Sequence, residues 1–175
     1  MRLLIGLTGR ARVGKDTVAR RLENEWGFEQ YSFAGPLKAM LRAGFGLDGR
    51  HLEGDLKEVE LPWLGKSPRQ LMQTLGTEWG REQVAEDVWL RLADRAADRI
   101  ELMVVSDVRF ENEAAWVRSR GGLLVHIIRP DAVQVSSHAS EAGVKQLAVD
   151  YQIYNHQGLA ELNAVVDNMA RTLKV

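Results

Sequence analysis

The chain has 175 residues, 45% hydrophobic and 27% charged, with a formal net charge of −1, the balance of one α/β domain with a sizeable core. A charge this close to zero gives no global attraction for a polyanion, so a nucleic-acid partner is not expected and any phosphate site must be local. There is no cysteine, which excludes disulfides, thiol catalysis and cysteine–metal sites, and no segment approaches the length of a membrane span.

In chain order, the apolar run Leu3 to Leu7 reads as a buried parallel strand rather than a signal peptide, and a cytoplasmic protein is the expectation. It leads directly into Gly9-Arg10-Ala11-Arg12-Val13-Gly14-Lys15-Asp16-Thr17. This is G-x-x-x-x-G-K, the core of a phosphate-binding loop. Gly9 and Gly14 let the backbone turn tightly so that its N–H groups converge on phosphate oxygens. The helix that follows adds partial positive charge, and Lys15 supplies a point charge for β- and γ-phosphates. One position departs from the motif. Asp16 stands where a serine or threonine hydroxyl normally meets Mg²⁺, and Thr17 follows it. A carboxylate is also a hard oxygen ligand; the alternatives are a base or a simple partner for the helix dipole.

Val18, Leu22 and Trp26 recur at four-residue spacing and predict an amphipathic helix ending at Gly27. Gln30 to Phe33 reads as a short strand. Leu37, Met40 and Leu41 predict a helix with Pro36 near its first turn. From 44 to 66 the pattern dissolves into five glycines, mixed charges and Pro62-Trp63; this stretch is a candidate lid or substrate-binding segment, or an ordinary insertion. Ser67-Pro68 has the form of a helix start. Leu71, Leu75 and Trp79 form an i, i+4, i+8 stripe, and a further helix is carried by Trp89, Leu92, Ala93, Ala96 and Ile100.

Leu102 to Ser106 predicts a core strand ending at Asp107. Phe110, Ala114 and Val117 predict a helix closed by Gly121-Gly122, and Leu123 to Ile128 a fourth strand. A polar connection over 131–138, a weakly helical stretch from Ala139 to Val149, a fifth strand over Tyr151 to Tyr154 and a strongly amphipathic last helix complete the pattern. No repeat or linker interrupts it, so a single domain over 1–175 is expected. Alternating strands and helices imply a parallel sheet covered on both faces.

Asp107, at the end of a strand able to lie beside the first, is a candidate for a metal or its waters; a turn-capping aspartate is the alternative. Arg109 would open into the same crevice at the strand ends, where open α/β sheets bind ligands. Arg69 begins a helix, an unfavourable place for a cation, which points to a ligand role; a plain exposed arginine is the alternative. Lys38 and Arg42, one turn apart, would face one phosphate or form a solvated face. Trp79 and Trp89 read as core, and Trp63 as the better stacking candidate. His138 and Glu141 sit near a helix start with Ser137, but four histidines and no cysteine argue against zinc.

Five blocks then belong together: Gly-Lys-Asp-Thr at 14–17, Ser-Phe-Ala-Gly-Pro-Leu-Lys at 32–38, Pro-Arg-Gln-Leu-Met-Gln-Thr-Leu-Gly-Thr-Glu at 68–78, Ser-Asp-Val-Arg-Phe-Glu-Asn-Glu-Ala at 106–114 and His-Ala-Ser-Glu at 138–141. In this order they resemble bacteriophage deoxynucleoside monophosphate kinases, within the P-loop nucleoside monophosphate kinase group. The resemblance implies a three-layer α/β fold on a five-stranded parallel sheet. It implies transfer of the ATP γ-phosphoryl group to a deoxynucleoside monophosphate, a small-molecule substrate, with Mg²⁺. By the same resemblance Gly9, Arg12, Gly14, Lys15 and Thr17 would bind ATP, and Lys38, Arg69 and Arg109 the acceptor. Lys15, Asp16 and Arg109 would act in catalysis, and Asp16 and Asp107 near the metal. A homodimer is compatible with it. The 129–141 connection carries one arginine, Arg129, where classical adenylate kinases carry several. The alternatives are a P-loop kinase for a small metabolite or a modified DNA base, and an ATPase module.

Overall fold

The structure is a computed structural model that describes residues 2–130 and 144–173. The expectations for His138, Glu141, Ser137 and the 131–138 connection lie outside the described residues. The elements in chain order are β1 (Leu3–Thr8), α1 (Lys15–Trp26), β2 (Glu29–Tyr31), α2 (Gly35–Phe45), α3 (Gly49–Leu52), α4 (Pro68–Gln73), a π-helix (Thr74–Val84), α5 (Val88–Ala97), β3 (Leu102–Val108), α6 (Glu111–Ser119), β4 (Leu123–Ile128), β5 (Tyr151–Tyr154) and α7 (Leu159–Thr172). The chain forms two compact units: Met1–Ser32 with Ala93–Val175, and Phe33–Leu92.

The first unit is built on a five-stranded sheet in the order β2-β3-β1-β4-β5, with every neighbouring pair parallel. β1 is central, and Ile5 and Leu7 are fully buried. On one face, Val18, Ala19 and Leu22 of α1 and Leu162, Val166, Met169 and Ala170 of α7 pack with Val104, Val125, Ile127 and Ile153 of the sheet. α6 covers the other face. There Gly6 has no room for a side chain, because a Cβ would come within 2.8 Å of Val117. The result is the expected three-layer α/β fold. α1 ends where the sequence predicts, at Gly27 in the left-handed region (φ 71°). α1 and α7 are tied by Arg21, whose Nε and Nη2 donate to the two oxygens of Asp167 at 2.9 and 2.8 Å, while Trp26 Nε1 donates at 3.0 Å. These hydrogen bonds hold the Asp167 carboxyl down at about 2.

The second unit has its own core of Leu41, Leu47, Leu52 and Leu61, with Leu71, Met72 and Leu75 packed against it. Burying Leu41 and Leu52 completely contributes roughly 2 kcal/mol each. The stretch 44–66 holds more structure than its composition predicts. Asp48 caps α3 by accepting from the His51 N–H at 3.2 Å, and Leu61 N donates to Lys66 O at 3.0 Å to close a turn. Each piece is anchored by one leucine, too few for a readable period.

The Leu71–Leu75–Trp79 stripe is corrected. Regular α geometry, capped by Ser67 and opened by Pro68, stops at Gln73. The next eleven residues form a π-helix, whose i→i+5 spacing is still visible where Ala85 N donates to Gly80 O at 3.0 Å. The wider turn buries Gly76 and Gly80 and leaves Trp79 39% exposed, so Trp79 is not core. Trp89 is: it is 3% exposed and donates from Nε1 to Gly76 O at 2.8 Å. The weakly helical reading of Ala139 to Val149 also fails where it is described, since 144–149 contains no helix.

Candidate active site

In the first unit, β1 runs out at Thr8, which is 1% exposed, and the chain turns through three left-handed residues. Gly9 has φ 140°, Arg12 62° and Gly14 110°. Gly9 needs its missing side chain twice over, because a Cβ would also strike Ile127 O at 2.5 Å. Arg12 adopts the left-handed region without that licence, a local strain of the kind found at ligand-binding loops. Val13 pins the loop from beneath, 2% exposed within the core. α1 then starts at Lys15, with Gly14 as its cap. The Lys15 ammonium folds back across the loop and donates to Gly9 O and Arg10 O, both at 2.7 Å. Asp16 is exposed in the first turn of α1 and Thr17 half-buried beside it.

Next to the loop, β3 runs beside β1 and continues to Val108, one residue past the predicted end at Asp107. Gly6 pairs with Val105 and Thr8 with Val108. Two residues, Ser106 and Asp107, therefore stand opposite Leu7 alone. This is a bulge, a device that re-aims side chains near sites. Asp107 and Arg109 flank the partner of Thr8, so strand register brings both to the side of the loop. Ser106 Oγ donates to Tyr31 O at 3.4 Å. Burial, together with the negative charge of Asp107, pushes the Tyr31 phenol up to about 12. The turn carrying Arg109 is held by Glu113, 3% exposed, whose Oε2 accepts from the N–H groups of Arg109 at 2.8 Å and Phe110 at 3.2 Å.

Lys38 and Arg69 belong to the second unit. Lys38 Nζ lies 3.0 Å and Arg42 Nη2 3.9 Å from the same oxygen of Glu53, so the two cations do converge, on a carboxylate. The Lys38 ammonium, and more weakly Arg42 and Lys57, draw the Glu53 carboxyl below its usual range despite partial burial. Arg69 pairs through Nε with Glu58 and donates its backbone N–H to Lys57 O at 3.0 Å. Trp63 is 65% exposed, its ring tilted 33° to that of Phe45 at 6.2 Å. Among the described residues, no group of three or more histidine, aspartate or glutamate side chains is arranged to hold a metal unaided, and no helix is long and apolar enough to cross a membrane.

Sequence reasoning missed Glu113, Tyr31 and Asn155. Glu113 had a signal, a glutamate at the third helical position after a strand–turn junction. Asn155 had none: its side chain reaches Val13, 142 residues away, donating to its carbonyl at 2.8 Å.

Residues 62–166 match the sequence profile of the deoxynucleotide monophosphate kinases. A protein of Acanthamoeba polyphaga mimivirus assigned to these kinases is 30% identical, over 97% of this chain and 98% of its own length. The deoxynucleotide monophosphate kinase of Enterobacteria phage T4 is 25% identical, over 98% and 99%. Among solved structures, shikimate kinase from Aquifex aeolicus superposes with a TM-score of 0.54 at 14% identity, covering 98% of this chain and 96% of that one, a likeness of fold.

Proposed function

Because the chain belongs to the deoxynucleotide monophosphate kinase family, we propose that it moves the γ-phosphoryl group of ATP onto the 5′-phosphate of a deoxynucleoside monophosphate, in the cytoplasm of its host cell. The chain is a nucleotide kinase; the donor, the metal and the residue roles are our reading. The observation that carries it is the loop after β1, where an ammonium folds over a backbone ring shaped by two left-handed glycines.

In the transfer, an oxygen of the acceptor phosphate forms a bond to the γ-phosphorus. The bond from that phosphorus to the β–γ bridging oxygen breaks, and its electron pair leaves with ADP. The protein's task is alignment and neutralisation of charge rather than covalent chemistry. Lys15 neutralises the β/γ-phosphates, with Gly9, Arg12, Gly14 and Thr17 lining the loop. Arg109, on its Glu113-braced turn, takes charge on the transferring or acceptor phosphate. Lys38 and Arg69 exchange their glutamate partners for the acceptor. Magnesium ions usually keep several waters and take one or two carboxylates beside phosphate oxygens. The exposed Asp16, the neighbouring Thr17 hydroxyl and Asp107 in the bulge fit that demand, and the ion would supply further neutralisation of the triphosphate.

The test is purified protein with ATP and Mg²⁺ against each common nucleoside and deoxynucleoside monophosphate, with diphosphate product measured. A deoxynucleoside diphosphate formed together with ADP is the expected result. ADP formed without any phosphorylated acceptor would identify an ATPase instead.

A further inference from the structure

We propose that Asn155 is a positioning residue: its side-chain amide fixes the Val13 carbonyl and thereby aims the Gly14 N–H at the phosphate oxygens of the nucleotide. This rests on the reading of residues 9–17 as the ATP phosphate site.

Asn155 is the first residue past β5. Its backbone N–H donates to Ile128 O at 2.8 Å, which extends the β4–β5 ladder one residue beyond the Ile128–Tyr154 pair. The residue is therefore held by the sheet, and its half-buried side chain starts from a fixed point. From there Nδ2 donates to Val13 O at 2.8 Å. In a trans peptide the carbonyl of one residue and the N–H of the next point in opposite directions. Holding the Val13 oxygen toward Asn155 turns the Gly14 N–H away from it, into the loop. The following residue is Lys15, so any rotation of this one peptide also moves the base of the phosphate-binding lysine.

The second glycine of the motif has the same cause. A Cβ on Gly14 would lie 2.7 Å from Asn155 Nδ2 and 3.5 Å from Leu162 Cδ2, at a φ of 110° that side chains rarely adopt. The amide of Asn155 packs where that side chain would stand. Glycine is thus demanded by the neighbour as well as by the turn.

Leucine and aspartate have nearly the shape of asparagine, and neither can donate to the Val13 carbonyl at neutral pH. Asn155→Leu and Asn155→Asp should raise the KM for ATP and the Kd for ADP on the order of 10-fold. The KM for the deoxynucleoside monophosphate should stay within about twofold of wild type, because the acceptor does not depend on the Gly14 peptide. In ¹⁵N-labelled protein, ADP should move the Gly14 amide proton strongly downfield in wild type, and that shift should shrink in Asn155→Leu. Lys15→Ala is the control for the underlying reading. Loss of ADP binding in Lys15→Ala, with wild-type affinity and a wild-type Gly14 shift in both Asn155 variants, overturns this inference alone. Unchanged ADP affinity in all three variants overturns the phosphate-site reading. An equal rise of both KM values would assign Asn155 to general stability and also overturn the inference.

Discussion

Lys15 makes two backbone hydrogen bonds within its own loop, each worth only about 1 kcal/mol of net stability. Its removal should therefore touch activity far more than folding. Lys15→Ala is expected to lower turnover on the order of 10²- to 10³-fold, the loss seen when one preorganised charge-stabilising donor is deleted, with a melting temperature close to wild type. A coupled ADP-release assay and a thermal melt on the same sample check both halves. Arginine roles divide by geometry. Guanidinium forks match phosphate oxygens in pairs, and an ammonium cannot reproduce that. Arg109→Lys and Arg69→Lys should raise the KM of the monophosphate, or lower turnover, well beyond any change in ATP affinity. Initial rates with each substrate varied in turn decide it, and an effect confined to ATP would move these arginines to the donor half of the site.

Among the elements, the π-helix constrains its sequence most tightly. Gly80 lies against the Trp89 ring, and a methyl group there would sit 2.4 Å from Cζ2 and 2.9 Å from Leu75 O. Gly80→Ala should cost about 1–3 kcal/mol through overpacking, despite alanine's better helix propensity. Differential scanning calorimetry should show a melting temperature lower by several degrees; an unchanged value would mean that Trp89 has space to move. This element also shows where sequence reading reaches its limit. α1 and α7 were legible because each repeats apolar side chains at the helical period, and β4 because it is an apolar run buried at successive positions. The π-helix turns two glycines inward, and glycine leaves no hydropathy signal. The bulge at Ser106 and Asp107 is set by register with β1, which no local pattern encodes. α3 rests on one leucine. Of the candidate site, the loop was legible because it is contiguous, whereas Asn155 reaches it only through the pairing of β4 with β5. Glu113 could have been read from its position in the first turn of α6.

For the molecule as a whole, acid is the sharpest test of its polar architecture. Asp150, with 1% of its side chain exposed, meets Arg118 through two hydrogen bonds at 3.0 and 2.7 Å, the Leu147 N–H at 2.8 Å and His126 Nε2 at 3.0 Å. Burial alone would raise this carboxyl, but these partners outweigh it and hold it at about 2. Asp167 sits equally low through Arg21 and Trp26. A carboxyl depressed in the folded state contributes stability that is fully present above its ordinary value of about 3.9 and is lost as pH falls through its folded value. Urea midpoints should accordingly decline from about pH 4 to about pH 2, and Asp150→Asn should be less stable at pH 7 while declining less over that window. A steep loss above pH 5 instead would implicate other groups. The division of the chain carries a consequence for the order of folding. β1 leaves the ribosome well before both strands that pair with it, since β3 and β4 are made only after the sixty residues of the second unit. Closing that interval costs about 4 kcal/mol of chain entropy before the first β1–β3 contact is rewarded. The second unit, with a leucine core supplied by its own residues, meets no such delay. Pulse-labelled hydrogen exchange during refolding should find amides of 33–92 protected ahead of those in β1, so the inserted segment organises while the central strand of the nucleotide-binding sheet still waits for its neighbours.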